Sequence, residues 1–129
     1  MKKILIAGGT GFVGDFLRRY LLGNQYEVYI LTTQLSRCSS KYFIYWNPSV
    51  REISLQDTIC FDTIINLGGA NIGEKYWTKK RKEILIESRI NSAKLLVDLI
   101  KSKKLICNYF IQASAIGFYG DSKSELQIE

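Results

Sequence analysis

The sequence predicts an α/β fold built on a mostly parallel sheet, and three observations predict it. Short apolar runs alternate with segments of helical periodicity along the chain. A glycine-rich turn joins the first apolar run directly to the first helical segment. The 129 residues are 47% hydrophobic, which is enough for one core of ordinary size. We therefore predict a single domain over residues 1–129.

The first half of the chain predicts three strands and one long helix. The run Lys3–Ala7 is apolar after its lysine, which suits a central strand covered on both faces. A helix is predicted from Phe12 to Gly23 because apolar residues recur at helical spacing and a glycine stands at its end. Its apolar stripe consists of Val13, Phe16, Leu17, Tyr20 and Leu21. Strands two and three are predicted at Glu27–Thr32 and Tyr42–Trp46, followed by a short helix within Val50–Ile59.

The second half predicts strand, long helix and strand. Strand four covers Thr63–Leu67, a long helix begins after the N-cap Thr78, and strand five covers Tyr109–Ala113. The residues predicted to form the buried stripe of this helix are Ile86, Ile90, Ala93, Val97 and Ile100. Right-handed crossovers then predict a doubly wound, Rossmann-type sheet of strand order 3-2-1-4-5 between two layers of helices.

The turn after the first strand carries the spacing Gly8-x-x-Gly11-x-x-Gly14. The first glycine permits a backbone angle closed to other residues, the second lets the main chain approach a pyrophosphate, and the third lets helix and strand pack closely. Free N–H groups at the helix start then face the phosphates. An ordinary βα turn is the alternative, but the position between a buried strand and an amphipathic helix favours dinucleotide binding. The other predicted cofactor residues of this turn are Thr10, Phe12 and Val13.

Several kinds of chemistry are excluded by composition. The chain has no histidine and only three cysteines, so it holds neither a Ser-His-Asp triad nor a four-thiolate zinc site, and we predict no metal. No Gly-Lys-Ser/Thr follows the glycine turn, which argues against a nucleoside-triphosphate loop. The first apolar run is too short for a signal peptide or a membrane span. With three cysteines far apart in sequence, a cytoplasmic protein is predicted.

Three motifs in order resemble those of a known family, the extended or atypical short-chain dehydrogenase/reductases, also called the NAD-dependent epimerase/dehydratase family. They are the glycine turn, the segment Asn66-Leu67-Gly68-Gly69 and the segment from Ala113 to Asp121. The stretch from Trp77 to Ile90 is similar to an epimerase-like subgroup whose substrates are mostly unassigned. The resemblance implies an NAD(P)-binding domain of a nucleoside-diphosphate-sugar epimerase-like oxidoreductase.

The end of the second strand bears on which dinucleotide binds. In enzymes selective for NAD an acidic residue there binds the ribose 2′-hydroxyl. This chain has Thr32-Thr33-Gln34 instead, with Arg37 close behind. A site without a carboxylate and with a nearby cation favours the additional phosphate of NADP over NAD.

The resemblance also implies roles for residues after strands four and five. Leu67, Gly68 and Gly69 would pack against the ribose and nicotinamide side of the cofactor, and Ser114 would hydrogen-bond a reacting substrate oxygen. The alternative for Ser114 is a turn or cap residue.

The family's catalytic tyrosine, with a lysine four residues on, belongs to a helix beyond strand five. The pair Tyr76 and Lys80 has that spacing but lies before the long helix, so we expect the chain to lack this catalytic segment. Members of the family run to about twice this length, with a C-terminal substrate domain, consistent with two domains' worth of chain. We therefore predict a fold truncated after strand five that is not catalytically complete alone. The uncovered sheet edge favours a homodimer.

Two other functions compete with this interpretation. A partner chain or a second copy could complete the site and give an active reductase or epimerase. A nucleic-acid-binding protein could use the basic residues between 75 and 82 beside Tyr76 and Trp77, because such segments hold phosphates and stack bases. A solvated helix start explains that segment better, so nucleic acid is not the expected partner.

Overall fold

The computed structural model of the chain describes residues 1–69, 76 and 78–114, and in this part of the chain it contains six strands and two α-helices. The strands are β1 (Lys3–Ala7), β2 (Glu27–Thr32), β3 (Phe43–Asn47), β4 (Glu52–Ile53), β5 (Ile59–Asn66) and β6 (Leu105–Gln112). The α-helices are α1 (Phe12–Gly23) and α2 (Lys79–Lys101). Two short 3₁₀ turns lie at Leu35–Arg37 and Pro48–Val50.

The strands form one sheet of order β4-β3-β2-β1-β5-β6. All neighbouring pairs are parallel except β3 with β4. The predicted strands one to five correspond to β1, β2, β3, β5 and β6, so the predicted order 3-2-1-4-5 is confirmed for them. The additional edge strand β4 was not predicted.

The short helix predicted within Val50–Ile59 is wrong. Pro48 begins a 3₁₀ turn, and Arg51 then takes the left-handed conformation at φ 56°. This reverses the chain, so that Ile53 pairs with Trp46 in an antiparallel hairpin. The two-residue strand is too short to leave an alternating pattern that a sequence would reveal.

Side chains alternate between two cores across the sheet, as the predicted three-layer arrangement requires. On β1, Ile4 and Ile6 join the core beneath α1, which includes Leu21. Leu5 and Ala7 join the core beneath α2. Four consecutive residues of β1 are therefore buried, as expected of a central parallel strand.

The stripe predicted to bury α2 is wrong for most of its residues, although Ile100 does pack on the core beneath the helix. Its members Ile86, Ile90 and Val97 are exposed, and the residues that α2 buries are Leu85, Ser92, Leu95, Leu96 and Leu99. The two stripes are offset by about one residue, or about 100° around the helix. Both carry aliphatic residues, so periodicity alone did not distinguish them.

The helix start predicted for α2 is confirmed, because the Thr78 hydroxyl accepts a hydrogen bond from the Arg81 N–H at 3.1 Å. For α1 the predicted stripe is confirmed only in part. Leu17 and Leu21 pack on the sheet, whereas Val13, Phe16 and Tyr20 are exposed.

A candidate dinucleotide site at the ends of the strands

A cleft of about 310 Å³ opens at the carboxyl ends of β1, β2, β3 and β5. This is where open α/β sheets bind their ligands, because the chain enters helices and loops there on both sides of a crevice. The residues that line the cleft are Gly8, Thr10, Leu31, Thr32, Thr33, Gln34, Trp46, Asn47, Pro48, Ser49, Gly68, Gly69, Ser88, Asn91 and Ser92.

The glycine turn requires glycine at two positions for separate reasons. Gly8 has φ 80°, and a Cβ there would lie 2.7 Å from the backbone carbon of Leu67. At Gly14 a Cβ would lie 2.2 Å from the Gly8 carbonyl oxygen, so the start of α1 packs directly on the turn. The backbone roles predicted for the first and third glycines are confirmed by these contacts.

Gly11 differs because nothing in its own conformation demands glycine. It is the N-cap of α1 with φ −76° and ψ 178°, and a Cβ there would meet only the Gly8 oxygen at 3.4 Å. The backbone N–H groups of the first helical turn have no partner within the helix, and they carry the positive end of its dipole. Phe12 and Val13, the first two helical residues, are exposed. The helix start is thus open to an anion.

Hydrogen bonds shape the end of β2. The buried Thr32 hydroxyl accepts from the Gln34 N–H at 3.1 Å. The Gln34 side-chain oxygen in turn accepts from Nε of Arg37, which lies in the 3₁₀ turn that follows. Because Gln34 lines the cleft, this bond keeps the guanidinium close to the cleft rim. Arg37 itself is exposed and does not line the cleft.

On the other side of β1, a buried asparagine organises the end of β5. The Asn66 side-chain oxygen accepts from the Gly68 N–H at 2.9 Å, and its amide nitrogen donates to the Ser92 hydroxyl at 3.4 Å and to the Gln112 side chain at 2.8 Å. Asn66 is completely buried and Ser92 nearly so. One amide thus joins the cleft floor to α2 and β6.

Comparison with known proteins places the chain in a family. A family model described as the NAD dependent epimerase/dehydratase family matches residues 4–129. The chain belongs to this family. The resemblance predicted from three motifs is confirmed.

Named members of the epimerase family are similar over almost the whole chain. An epimerase family protein of Staphylococcus aureus (strain bovine RF122 / ET3-1) is 36% identical over 121 residues, which are 92% of this chain and 39% of that protein. One from Staphylococcus saprophyticus is 33% identical over the same share. The chain therefore spans about two fifths of the length of these relatives.

Solved structures share the fold. The crystal structure of a human epimerase family protein with NADPH superposes with a TM-score of 0.76 at 22% identity, over 95% of this chain and 40% of that one. A nucleoside-diphosphate sugar epimerase from Corynebacterium glutamicum gives a TM-score of 0.69 at 26% identity, over 97% and 25%. Both are Rossmann-type epimerase structures, which confirms the predicted fold class.

The epimerase-family cleft brings together only part of the predicted site. Its lining includes Gly8, Thr10, Thr32, Thr33, Gly68 and Gly69. Gly11 and Phe12 lie beside it at the start of α1, together with Thr10. Leu67 contributes its backbone against Gly8 and packs on the core beneath α1. Val13, Gly14, Arg37 and Ser114 are not among the lining residues.

The sequence interpretation missed the wall formed after β3. Trp46, Asn47, Pro48 and Ser49 line the cleft, as does Ser88 on α2. The signal was available, since β3 is a parallel strand next to β2 and its carboxyl end had to lie at the same edge of the sheet. The contribution of α2 to the cleft could not be predicted, because the periodicity indicated the wrong face of that helix.

Ser114 lies just past β6 and is exposed. The preceding residue is held in place, because the Ala113 N–H donates to the Asn66 carbonyl at 3.0 Å. The sequence prediction overlooked a second pair with the Tyr-x-x-x-Lys spacing, Tyr119 and Lys123, which begins seven residues beyond the end of β6. This second pair lies outside the described residues, as do Ala115 to Asp121 of the third family motif.

Among residues 1–69, 76 and 78–114, no group of three or more His, Cys, Asp or Glu side chains could hold a metal ion. Neither α-helix described is long and apolar enough to cross a membrane.

Two described residues that do not line the cleft, Tyr29 and Cys107, have raised pKa values. Burial, a hydrogen bond to Glu27 and the charges of Glu27 and Tyr42 raise the pKa of Tyr29 to about 12. Burial raises the pKa of the Cys107 thiol.

Proposed function

We propose that this chain is the dinucleotide-binding part of an epimerase-like oxidoreductase and binds NADP(H) in the cleft, without a complete catalytic site of its own. The observation that carries the proposal is the open N-terminus of α1. Gly8 and Gly14 pack too tightly to admit a side chain, while Gly11 leaves space in front of the first helical N–H groups. A diphosphate fits such a cradle because its charge meets the positive end of the helix.

The rest of the cleft fits the remaining parts of the cofactor. The adenosine ribose would lie against Thr32 and Thr33 at the end of β2, and the nicotinamide side against Gly68 and Gly69 after β5. The human relative was crystallised with NADPH, which supports a nicotinamide dinucleotide as the ligand.

The NADP preference rests on the charge at the end of β2. No carboxylate is present among Thr32, Thr33 and Gln34 to repel a 2′-phosphate. Gln34 holds the Arg37 guanidinium near the cleft, where it can pair with that phosphate. We accordingly infer that NADPH binds more tightly than NADH.

When bound, the nicotinamide ring supplies the ability to accept or donate a hydride. This chain's own residues would bind and orient the cofactor. Ser114 would hold a substrate oxygen by hydrogen bonding near the end of β6. None of the described residues that line the cleft is a titratable acid or base, which supports the proposal that this cleft binds the cofactor without completing a catalytic site.

The proposal is tested by calorimetric titration of the purified chain with NADPH and with NADH. A Gly11→Val variant should fold, because its backbone angles suit any residue, but its side chain would occupy the diphosphate cradle. We expect it to lose cofactor binding, while Gly23→Ala keeps it, since a Cβ at Gly23 meets nothing within 4 Å. Unchanged affinity in folded Gly11→Val, or no binding of either dinucleotide to the native chain, would overturn the proposal.

A turnover assay addresses the catalytic part of the proposal. The chain alone should not oxidise NADPH with carbonyl substrates or epimerise sugar nucleotides at any protein concentration. Turnover that rises with protein concentration would instead favour the alternative in which a second copy completes the site.

A further inference from the structure

An ion pair outside the cleft lining joins the segment after β3 to α2. The Arg51 guanidinium contacts Asp98 at 2.6 Å between Nη2 and Oδ2. Arg51 follows the turn Pro48–Val50, which carries part of the wall after β3. Asp98 lies on α2, six residues beyond Ser92 of the opposite wall. The two residues are 47 positions apart in sequence, so the contact is a tertiary one.

Hydrogen bonds within the segment 47–51 hold its shape. The Asn47 side chain accepts from the Ser49 N–H at 3.2 Å, and the Arg51 N–H donates to the Pro48 carbonyl at 3.3 Å. The left-handed conformation of Arg51 then turns the chain into β4. Because these bonds are internal, they fix the shape of the hairpin tip without fixing its distance from α2.

The turn Pro48–Val50 packs against α2, and the half-exposed ion pair adds a charged contact between the two elements. A cavity of about 580 Å³ lies beside it, lined by residues of both elements that include Ile53, Leu95 and Leu99. Ile53 packs on the core at the base of the hairpin. Arg51 and Asp98 also line this cavity, so the ion pair lies at its edge.

We infer that the Arg51–Asp98 ion pair is a positioning contact that holds the wall after β3 at its working distance from α2 and so sets affinity for the adenylate half of the dinucleotide. This rests on the proposed function. The adenylate half is indicated because this wall is next to the end of β2, where the adenosine ribose would lie, and is separated by both β2 and β1 from Gly68 and Gly69. Neither residue would touch the ligand.

Charge reversal tests the inference with two ligands, NADPH and 2′,5′-ADP. Asp98→Arg and Arg51→Asp each place like charges at the contact, and Asp tolerates the left-handed conformation of position 51. We expect each single variant to bind both ligands about twofold to fivefold more weakly. This is the size of effect that a half-exposed ion pair produces. The doubly reversed protein should regain most of the affinity. Salt at about 1 M should remove the differences, because screening then acts within about 3 Å.

The control is Glu52→Gln, which changes one charge on the same hairpin without altering the ion pair. Unfolding in urea checks that every variant is folded. Single variants that bind both ligands like the native chain, a double variant without recovery, or losses confined to NADPH would each overturn the inference. Failure of the proposed function would look different, because the native chain itself would then bind neither ligand.

Discussion

The side-chain amide of Asn66 lies 2.8 Å from the side-chain oxygen of Gln112 and joins the carboxyl ends of β5 and β6. These strands bracket the part of the cleft floor where the nicotinamide would lie. The same Asn66 side chain also accepts from Gly68 and donates to Ser92. A fully buried amide with both nitrogen protons and its oxygen engaged is a rigid junction between three elements.

Replacing Asn66 with Ala should therefore reduce the free energy of unfolding by about 2 to 3 kcal/mol, because the buried N–H and hydroxyl partners lose their bonds. Urea denaturation at neutral pH measures it. Asn24→Ala is the control, since Asn24 is exposed and its side-chain amide donates to the nearby Tyr20 carbonyl in α1's last turn. Equal losses in the two variants would contradict the assigned role of Asn66.

The two ends of α1 should respond oppositely to alanine. Gly14→Ala should destabilise the fold by about 3 kcal/mol, because its Cβ collides with the backbone of the glycine turn and the backbone cannot yield cheaply. Gly23→Ala should stabilise it by about 0.5 kcal/mol by restricting the unfolded chain. Thermal unfolding of both variants makes the comparison. A fully stable Gly14→Ala protein would mean that the turn is looser than its contacts indicate.

Cofactor preference should depend on Arg37. Arg37→Gln should weaken NADPH binding about tenfold, because a charge-assisted bond to the 2′-phosphate is lost, and leave NADH binding unchanged. Calorimetry with both dinucleotides measures the ratio. Lys41→Gln serves as the control, since Lys41 lies over the Tyr42 ring. A larger effect from Lys41 than from Arg37 would assign the phosphate to a different cation.

Tyr29 should make stability fall at alkaline pH. Its pKa is raised from 10.0 to about 12 in the folded protein, so the folded state holds this proton more tightly than the unfolded state does. The stabilisation is complete below pH 10.0 and is lost as pH rises toward about 12.

Urea unfolding across that interval should show a smaller decline for Tyr29→Phe than for the native chain. Tyr109→Phe, at an exposed position of β6, should follow the native curve. Indistinguishable slopes for the native chain and Tyr29→Phe would refute this assignment.

Self-association is predicted through the edge at β6, the last strand in the sheet order described. Ile106 and Ile111 are exposed on this strand. We expect a concentration-dependent dimer in light scattering that Ile106→Lys weakens, because a lysine on an edge strand opposes pairing. Ile86→Lys, on the exposed face of α2, distinguishes strand pairing from helix pairing. Loss of the dimer only in the α2 variant would place the contact on the helix.

The sequence by itself determined the five parallel strands, the two α-helices and their order, but not β4. Buried runs such as Lys3–Ala7, the glycine turn and the Thr78 cap depend on local chemistry, so the parallel sheet and the helix starts followed from neighbours within a few residues. The same local pattern carried the family assignment and the location of the glycine turn.

Tertiary structure decided the remainder. Whether α2 buries Leu96 or Ile90 depends on the rotation of the helix against the sheet, and both choices are aliphatic. The wall at Trp46 to Ser49 and the ion pair between Arg51 and Asp98 join segments far apart in sequence. Such contacts have no local periodicity, because they exist only once the strands have assembled and the chain reverses at Arg51.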